Sequence, residues 1–381
     1  MTSFVVNTPL PEFGLWNEFE GKGIPASFEI ELTARCNNDC RHCYINLPAG
    51  DRAARAGELS FDEICAVADQ AVELGALWCL LTGGEPLLRP DFSDIYLALK
   101  KRGLLVSVFT NACLIRPEHV DLFRRYPPRD VEITMYGAGR ETYERVTRAP
   151  GSFEAFQRGV RLLEQGGVRA RHKAMALRSN VDELAAMAAF GRAHTKDYFR
   201  FDFLLHLRYD RDAARNAEIC AERLTPEEIT VIEKSDDERA RALRRECRRA
   251  VVSGAPPEPD LVFQCDVGQG FTVGWDGSLR LCSSLCHPDY VADVRREPLA
   301  VAWRRLASNA RTARTRDAAY LDLCGACGLT DLCLYCPAHA YLENGSLTRP
   351  IDDFCATAKA RARAFGEAPV EADGAGAEKK S

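Results

Sequence analysis

Cys36-Asn37-Asn38-Asp39-Cys40-Arg41-His42-Cys43-Tyr44 follows closely on the alternating run Ser27-Phe28-Glu29-Ile30-Glu31-Leu32. Alternation of apolar and charged residues is the pattern of a half-buried strand, so the three cysteines fall on the loop that leaves its C-terminal end. Their C-x3-C-x2-C spacing lets three thiolates take three irons of one iron-sulfur cube. The loop is too short to reach the fourth. Cluster proteins that close the cube use four cysteines, so one iron is expected to keep a position for a ligand from outside the chain. Zinc or a redox dithiol is the competing reading, because C-x2-C serves both and His42 lies within the loop.

Outward from this loop the pattern repeats as strand, loop, helix. Ser60 with Glu63 forms a capping box that opens a helix to Leu74, and Gly75 stands where a C′ residue belongs. Strand-like runs follow at 76–81, 104–109, 131–135, 172–177 and 199–205, with amphipathic segments between them. Strands alternating with helices imply a parallel sheet with right-handed crossovers. Six such units predict an α/β fold, a partial (β/α)6 TIM-like barrel in which chemistry gathers at the C-terminal strand ends. Gly83-Gly84-Glu85-Pro86 stands at the end of the second strand. Two glycines let a backbone approach a ligand closely, and a carboxylate beside them can accept from an ammonium group.

The cysteine loop, with Gly83-Gly84-Glu85-Pro86 one βα unit later, resembles the radical SAM family from about Ser27 to about Tyr209. The resemblance implies a 4Fe-4S cluster on Cys36, Cys40 and Cys43, with S-adenosyl-L-methionine chelating the open iron. Its reductive cleavage gives a 5′-deoxyadenosyl radical that abstracts a substrate hydrogen, the electron coming from a donor such as flavodoxin or ferredoxin. By the same resemblance Gly83, Gly84, Glu85 and Pro86 hold the methionine amino group, and Tyr44, Asn111 and Thr134 are further cofactor contacts. Thr110-Asn111-Ala112 is similar to the family's Thr-Asn-Gly, with alanine in place of glycine. Tyr136, Lys173, Asn180, Asp202 and His206 stand at or near strand ends, where a structural hydrogen bond is an equal reading. His119, His172 and His194 read as surface or helix positions.

Sixteen cysteines in 381 residues form the unusual total. No apolar signal segment opens the chain and no apolar run approaches a membrane span, so a cytoplasmic location is expected, where cysteines more often hold metals than form disulfides. The net charge of -5 gives no reason to expect a nucleic acid partner. Residues 1–24 read as an irregular arm, too short for a leader-binding domain. The barrel is expected over 25–215 and a charged helical linker over 216–260, opened by the capping box Thr225-Pro226-Glu227-Glu228. A small cysteine-rich α+β domain is expected over 261–362, and a disordered tail over 363–381.

In that last domain Cys265, Gly277, Cys282, Cys324, Cys327, Cys333, Cys336 and Cys355 follow the order of the SPASM extension of radical SAM enzymes, with an Asp276-Gly277 hairpin turn. The resemblance implies two auxiliary 4Fe-4S clusters, an outer one on Cys324, Cys327, Cys333 and Cys355 and an inner one on Cys265, Cys282 and Cys336. Candidates for its fourth ligand are Cys286, Cys247 and Asp266, or an open iron awaiting substrate or water. Cys65, Cys79 and Cys113 read as small core residues, and the C-x2-C pairs alone would also suit a zinc ribbon. Enzymes of this kind mostly modify peptides or proteins, so a peptide substrate with a separate leader-binding protein is the leading expectation. The alternatives are the same chemistry on a small molecule, an aminocyclitol alcohol or a tetrapyrrole side chain, or a non-catalytic electron-transfer or metal-binding protein.

Overall fold

β1 (Ser27–Glu31) runs towards β2 (Arg35–Cys36), which pairs in parallel with β3 (Leu47–Pro48) across the cysteine loop. The computed structural model that shows this describes residues 24–195, 199–253, 258–265 and 267–366. Residues 1–23 of the expected arm over 1–24, Asp266 and the tail beyond 366 lie outside the described residues; 363–365, expected in the tail, instead close the helix Asp352–Phe365. Five further parallel strands follow, β4 (Trp78–Thr82), β5 (Leu105–Thr110), β6 (Asp130–Met135), β7 (Ala170–Met175) and β8 (Arg200–Asp202). With β1 they complete the six strands of the expected barrel, in the order β1-β4-β5-β6-β7-β8.

Register explains the alternation. Ile30 lies opposite Leu81, Leu81 opposite Val108 and Val108 opposite Val131, all fully buried. The alternate positions, Glu29 and Glu31 on β1 and Glu132 and Thr134 on β6, take the opposite face of the sheet. The helix Phe61–Glu73 keeps the expected capping box and buries Ile64, Val67, Ala68 and Ala71. Gly75 at φ +97° ends it, where a Cβ would meet Ile24.

The C-terminal hairpin departs from the expected boundaries. β9 (Gly270–Val273) pairs in parallel with the free edge of β1, and β10 (Ser278–Arg280) and β11 (Val291–Asp293) continue the sheet antiparallel, giving nine strands. The hairpin turns at Gly277, φ +86°, as Asp276-Gly277 predicts. Two compact units result, Met1–Arg223 with Phe263–Ala313, and Leu224–Val262 with Arg314–Ser381. The stretch expected as a linker is therefore mostly core. Helices Pro226–Lys234 and Asp237–Ser253 pack with Asp352–Phe365, burying Ala240, Leu243, Cys247, Leu332, Ala358 and Phe365.

His119 and His194 stand on helices as read, Pro117–Arg125 and Leu184–His194, with His119 buried against Phe92, but the expectation for His172 needs correcting. His172 is buried on β7, its ring 5.9 Å from that of Phe190 and 6.2 Å from that of His194, with neither ring nitrogen hydrogen-bonded. Burial pulls its pKa from 6.5 down to about 4. A base with a depressed folded pKa contributes fully above its unfolded pKa. Between pH 6.5 and 4 the unfolded chain alone takes up the proton, so stability falls by up to about 3 kcal/mol over that window. His172→Phe is expected to lose stability less steeply than wild type in urea titrations from pH 7 to 4.5; parallel pH profiles would refute this.

Candidate functional site

Backbone bonds stitch the cysteine loop and the residues before it to the end of β4 and to the C-terminal end of the helix Arg140–Thr147. Gly84 N donates to Thr33 O at 2.7 Å and Glu85 N to Arg35 O at 2.9 Å, while Asp39 N reaches Thr147 O at 2.8 Å and Arg41 N reaches Val146 O at 3.2 Å. Three arginines hold carbonyls in the loop and just after it. Arg148 Nε donates to Asp39 O at 2.8 Å, Arg215 Nη2 to Cys40 O at 3.2 Å and Arg208 Nη1 to Asn46 O at 3.1 Å. Arg35 is fixed from below by Glu58, Nε to Oε1 at 2.7 Å.

The glycines of Gly83-Gly84-Glu85-Pro86 are required by this stitching. A Cβ on Gly83, φ +129°, would stand 2.3 Å from Thr33 O, and one on Gly84 would stand 2.3 Å from Arg35 O. Glu85 is fully buried, and its carboxylate accepts from Leu87 N at 3.1 Å, Thr110 Oγ1 at 2.9 Å and Asn111 N at 2.8 Å. Burial raises its pKa to about 7 against the pull of those three donors. The acid expected to meet an ammonium group is thus occupied in tying β4 to the end of β5. Asn111, placed by that bond, donates from Nδ2 to Asn37 Oδ1 at 2.9 Å and towards Cys36 Sγ at 3.7 Å. Ala112, where the resemblance has glycine, takes φ +63°, a left-handed conformation that costs a residue with a Cβ about 1 kcal/mol.

Burial pushes all three loop thiols upward; Cys43 adds to this at Cys36, and Cys43 and Cys36 add to it at Cys40. Among the described residues no three His, Cys, Asp or Glu side chains are drawn together as a finished metal cage. The surroundings nevertheless suit bound thiolates. Asn38 N points at Cys36 Sγ at 3.4 Å, the Ile45 and Asn46 amides and the Arg208 charge favour a Cys43 anion, and His42 and Tyr136 pack their rings together beside the loop, 5.4 Å apart. Amide donors on sulfur are what cluster thiolates require. His42 is buried with its pKa pulled to about 4.

The sheet's inner wall is charged but matched. Lys173 Nζ lies 2.9 Å from Glu132 and 3.4 Å from Asp202, over the Phe109 ring, and faces Thr134 in register. Arg280 pairs with Glu31. Tyr44 OH donates to Glu31 at 3.4 Å, with its ring between His206 and Tyr209. Asn180 serves the backbone, donating to Tyr136 O and Met175 O and accepting from Leu177 N.

The other cysteines divide between the units. Cys265 and Cys282 are exposed and Cys286 half-buried in the first. Burial in its wider surroundings pushes the Cys282 thiol up, and the Ser284 and Leu285 amides oppose this. In the second unit Cys324, pushed up to about 12 by burial, also feels Cys355, Cys333 and Cys327. The Leu329 and Tyr335 amides point at Cys327 and Cys333 Sγ at 3.4 and 3.3 Å. These four expected outer ligands thus fall in one unit, with Cys324 feeling the other three. Cys336 ends in the second unit as the N-cap of Pro337–Asn344. Cys247 does not fit a ligand role, since its thiol is in the apolar core and donates to Arg361 O. Cys79 and Cys113 are buried as expected, Cys65 is half-buried and Cys220 exposed.

Arg148, Arg208 and Arg215 had no signal in the sequence, because a clamp on backbone carbonyls demands no spacing. Residues 30–190 match the family model described as the Radical SAM superfamily. An AdoMet-dependent heme synthase of Methanosarcina barkeri is 25% identical over 345 residues, 84% of this chain and 93% of that protein. The antilisterial bacteriocin subtilosin biosynthesis protein AlbA of Bacillus subtilis is 30% identical over 173 residues, 45% of this chain and 37% of that protein. Streptococcus suis SuiB bound to S-adenosylmethionine superposes with a TM-score of 0.64 at 16% identity, covering 87% of this chain and 77% of that one. SuiB bound to its precursor peptide SuiA gives 0.62 at 14%, covering 92% and 82%. No described helix is long and apolar enough to cross a membrane.

Proposed function

This chain carries a Radical SAM domain and is an enzyme of that superfamily, and from that premise we propose that it abstracts hydrogen from a peptide or protein. The family implies a 4Fe-4S cluster and S-adenosyl-L-methionine, which together supply one electron and a 5′-deoxyadenosyl radical. Cys36, Cys40 and Cys43 hold that cluster, and Asn111 and the Asn38 amide steady the Cys36 sulfur. The Gly83–Pro86 turn presents backbone to the methionine end, with Tyr44 and Thr134 as further contacts. Cys324, Cys327, Cys333 and Cys355 hold an auxiliary cluster, and Cys265, Cys282 and Cys286 contribute to a second. Clusters bound there would supply an electron acceptor or a contact for the substrate, and a flavodoxin or ferredoxin would supply the first electron.

The observation that carries the choice of substrate is the matched inner wall. Lys173 is met by Glu132 and Asp202, Arg280 by Glu31, Arg171 by Asp130, and Arg200 by Glu132 and Asp202. A tetrapyrrole bearing several carboxylates would have to displace these pairs, whereas neutral peptide amides need only hydrogen bonds. A second reading, tetrapyrrole side-chain chemistry, is supported by the near full-length heme synthase relative.

Side-chain-deuterated peptides encoded beside the gene, and a deuterated tetrapyrrole, separate the two. Incubated with reduced enzyme, a peptide is expected to pass deuterium into 5′-deoxyadenosine, and the Cys36/Cys40/Cys43 triple alanine variant to release none. Transfer from the tetrapyrrole alone would overturn the peptide reading.

A further inference from the structure

Arg280, on β10 two residues before Cys282, is 3% exposed. Its guanidinium pairs with Glu31 at the end of β1, donates from Nη1 to Ser283 O at 3.0 Å and lies 4.7 Å over the Tyr209 ring. Its buried Nε meets no partner. Around it runs a continuous layer. Tyr44, next to Cys43, packs edge-on against Tyr209 at 5.3 Å, and Tyr209 OH donates to Ser283 O. His206, 5.6 Å from the Tyr44 ring, shares a 2.7 Å hydrogen bond between Nδ1 and Ser284 Oγ. Ser283 and Ser284 lead from Cys282 towards Cys286.

The cation reaches the turn itself, since the carbonyl that its Nη1 meets, Ser283 O, lies between Cys282 and Cys286. Nothing in the proposed hydrogen abstraction uses a permanent buried cation here.

We propose that Arg280 is a positioning residue that raises the reduction potential of the iron-sulfur cluster held at Cys282 and Cys286, with Glu31 fixing its guanidinium there. This rests on reading those cysteines as cluster ligands. Taking up one electron makes a cluster one charge more negative, and a buried cation close by favours that state. Removing the cation disfavours the reduced form. Removing the opposing carboxylate leaves the cation unbalanced and favours it.

Anaerobic potentiometric titration of the full holoprotein with dithionite, followed by electron paramagnetic resonance, tests this. Cys282→Ser and Cys286→Ser, with iron counts, identify the signal that belongs to this turn. Arg280→Gln is expected to lower, and Glu31→Gln to raise, the ratio of reduced to oxidised cluster at a fixed potential, each on the order of tenfold. Arg280→Lys, which keeps the charge, is expected to stay near wild type even if the glutamine variant binds iron poorly. Unchanged titrations in Arg280→Gln and Glu31→Gln at full iron content would overturn the proposal alone. Serine variants that keep every signal and all their iron would remove the cluster from this turn, and with it the reading beneath.

Discussion

Replacing Gly84 with alanine is expected to strip iron from the three-cysteine loop and to cut reductive cleavage of S-adenosyl-L-methionine by about a hundredfold or more, the usual consequence of an ångström-scale misplacement. The added Cβ would stand 2.3 Å from Arg35 O and 2.6 Å from Ala34 O. Both obstacles are backbone, so no side chain can swing aside. The turn must lift, breaking Gly84 N to Thr33 O and Glu85 N to Arg35 O and dragging the Glu85 carboxylate from Thr110 and Asn111. Asn111 then loses its hold beside Cys36. Gly50→Ala is the control, since nothing lies within 4 Å of a Cβ there. Iron per chain and 5′-deoxyadenosine yield decide the matter; a Gly84→Ala protein with full iron and normal yield would show that the stitching is dispensable.

Arg361→Met is expected to destabilise the second unit by about 3 kcal/mol, the range for breaking a buried ion pair by one partner. Arg361 and Glu233 are each 2% exposed, joined Nε to Oε2 at 3.0 Å and Nη2 to Oε1 at 2.6 Å. Arg239, far more exposed, leaves Glu233 a poorer partner at 2.9 Å. The loss also frees Leu332 O, which takes Arg361 Nη1 at 2.8 Å one residue before Cys333. Iron bound by Cys324, Cys327, Cys333 and Cys355 should therefore fall together with the urea midpoint. Glu233→Leu combined with Arg361→Met should recover most of the stability, because a buried pair replaced whole leaves no stranded charge. A double variant no better than the single one would assign the loss to packing.

The barrel was legible because its strands announce themselves locally. Glu29 and Glu31 alternate with Phe28 and Ile30, and Ser60 with Glu63 marks a helix start, before any partner is known. The cysteine loop was legible for the same reason, its spacing being a property of nine consecutive residues. Long-range pairing was not. Nothing in Gly270–Val273 says that its partner is β1, so a hairpin read correctly was placed in the wrong body. Charge-rich helices from Pro226 onward read as a solvated linker because their buried stripe, Ile229, Ile232, Ala240 and Leu243, is narrow beside their charged faces. The job of Glu85 was hidden similarly: two of its three donors, Thr110 and Asn111, come from the end of β5, and only the assembled sheet reveals them.

The parallel pairing of β9 with β1 also bears on how the chain is made. Glu29 meets Thr272 across 243 residues of sequence, so the outer rim of the first strand stays unclaimed until most of the polypeptide has left the ribosome. An open strand rim invites pairing with other nascent chains, and charges pointing from such a strand deter it. Glu29 and Glu31 thus guard the growing chain before they serve the finished one.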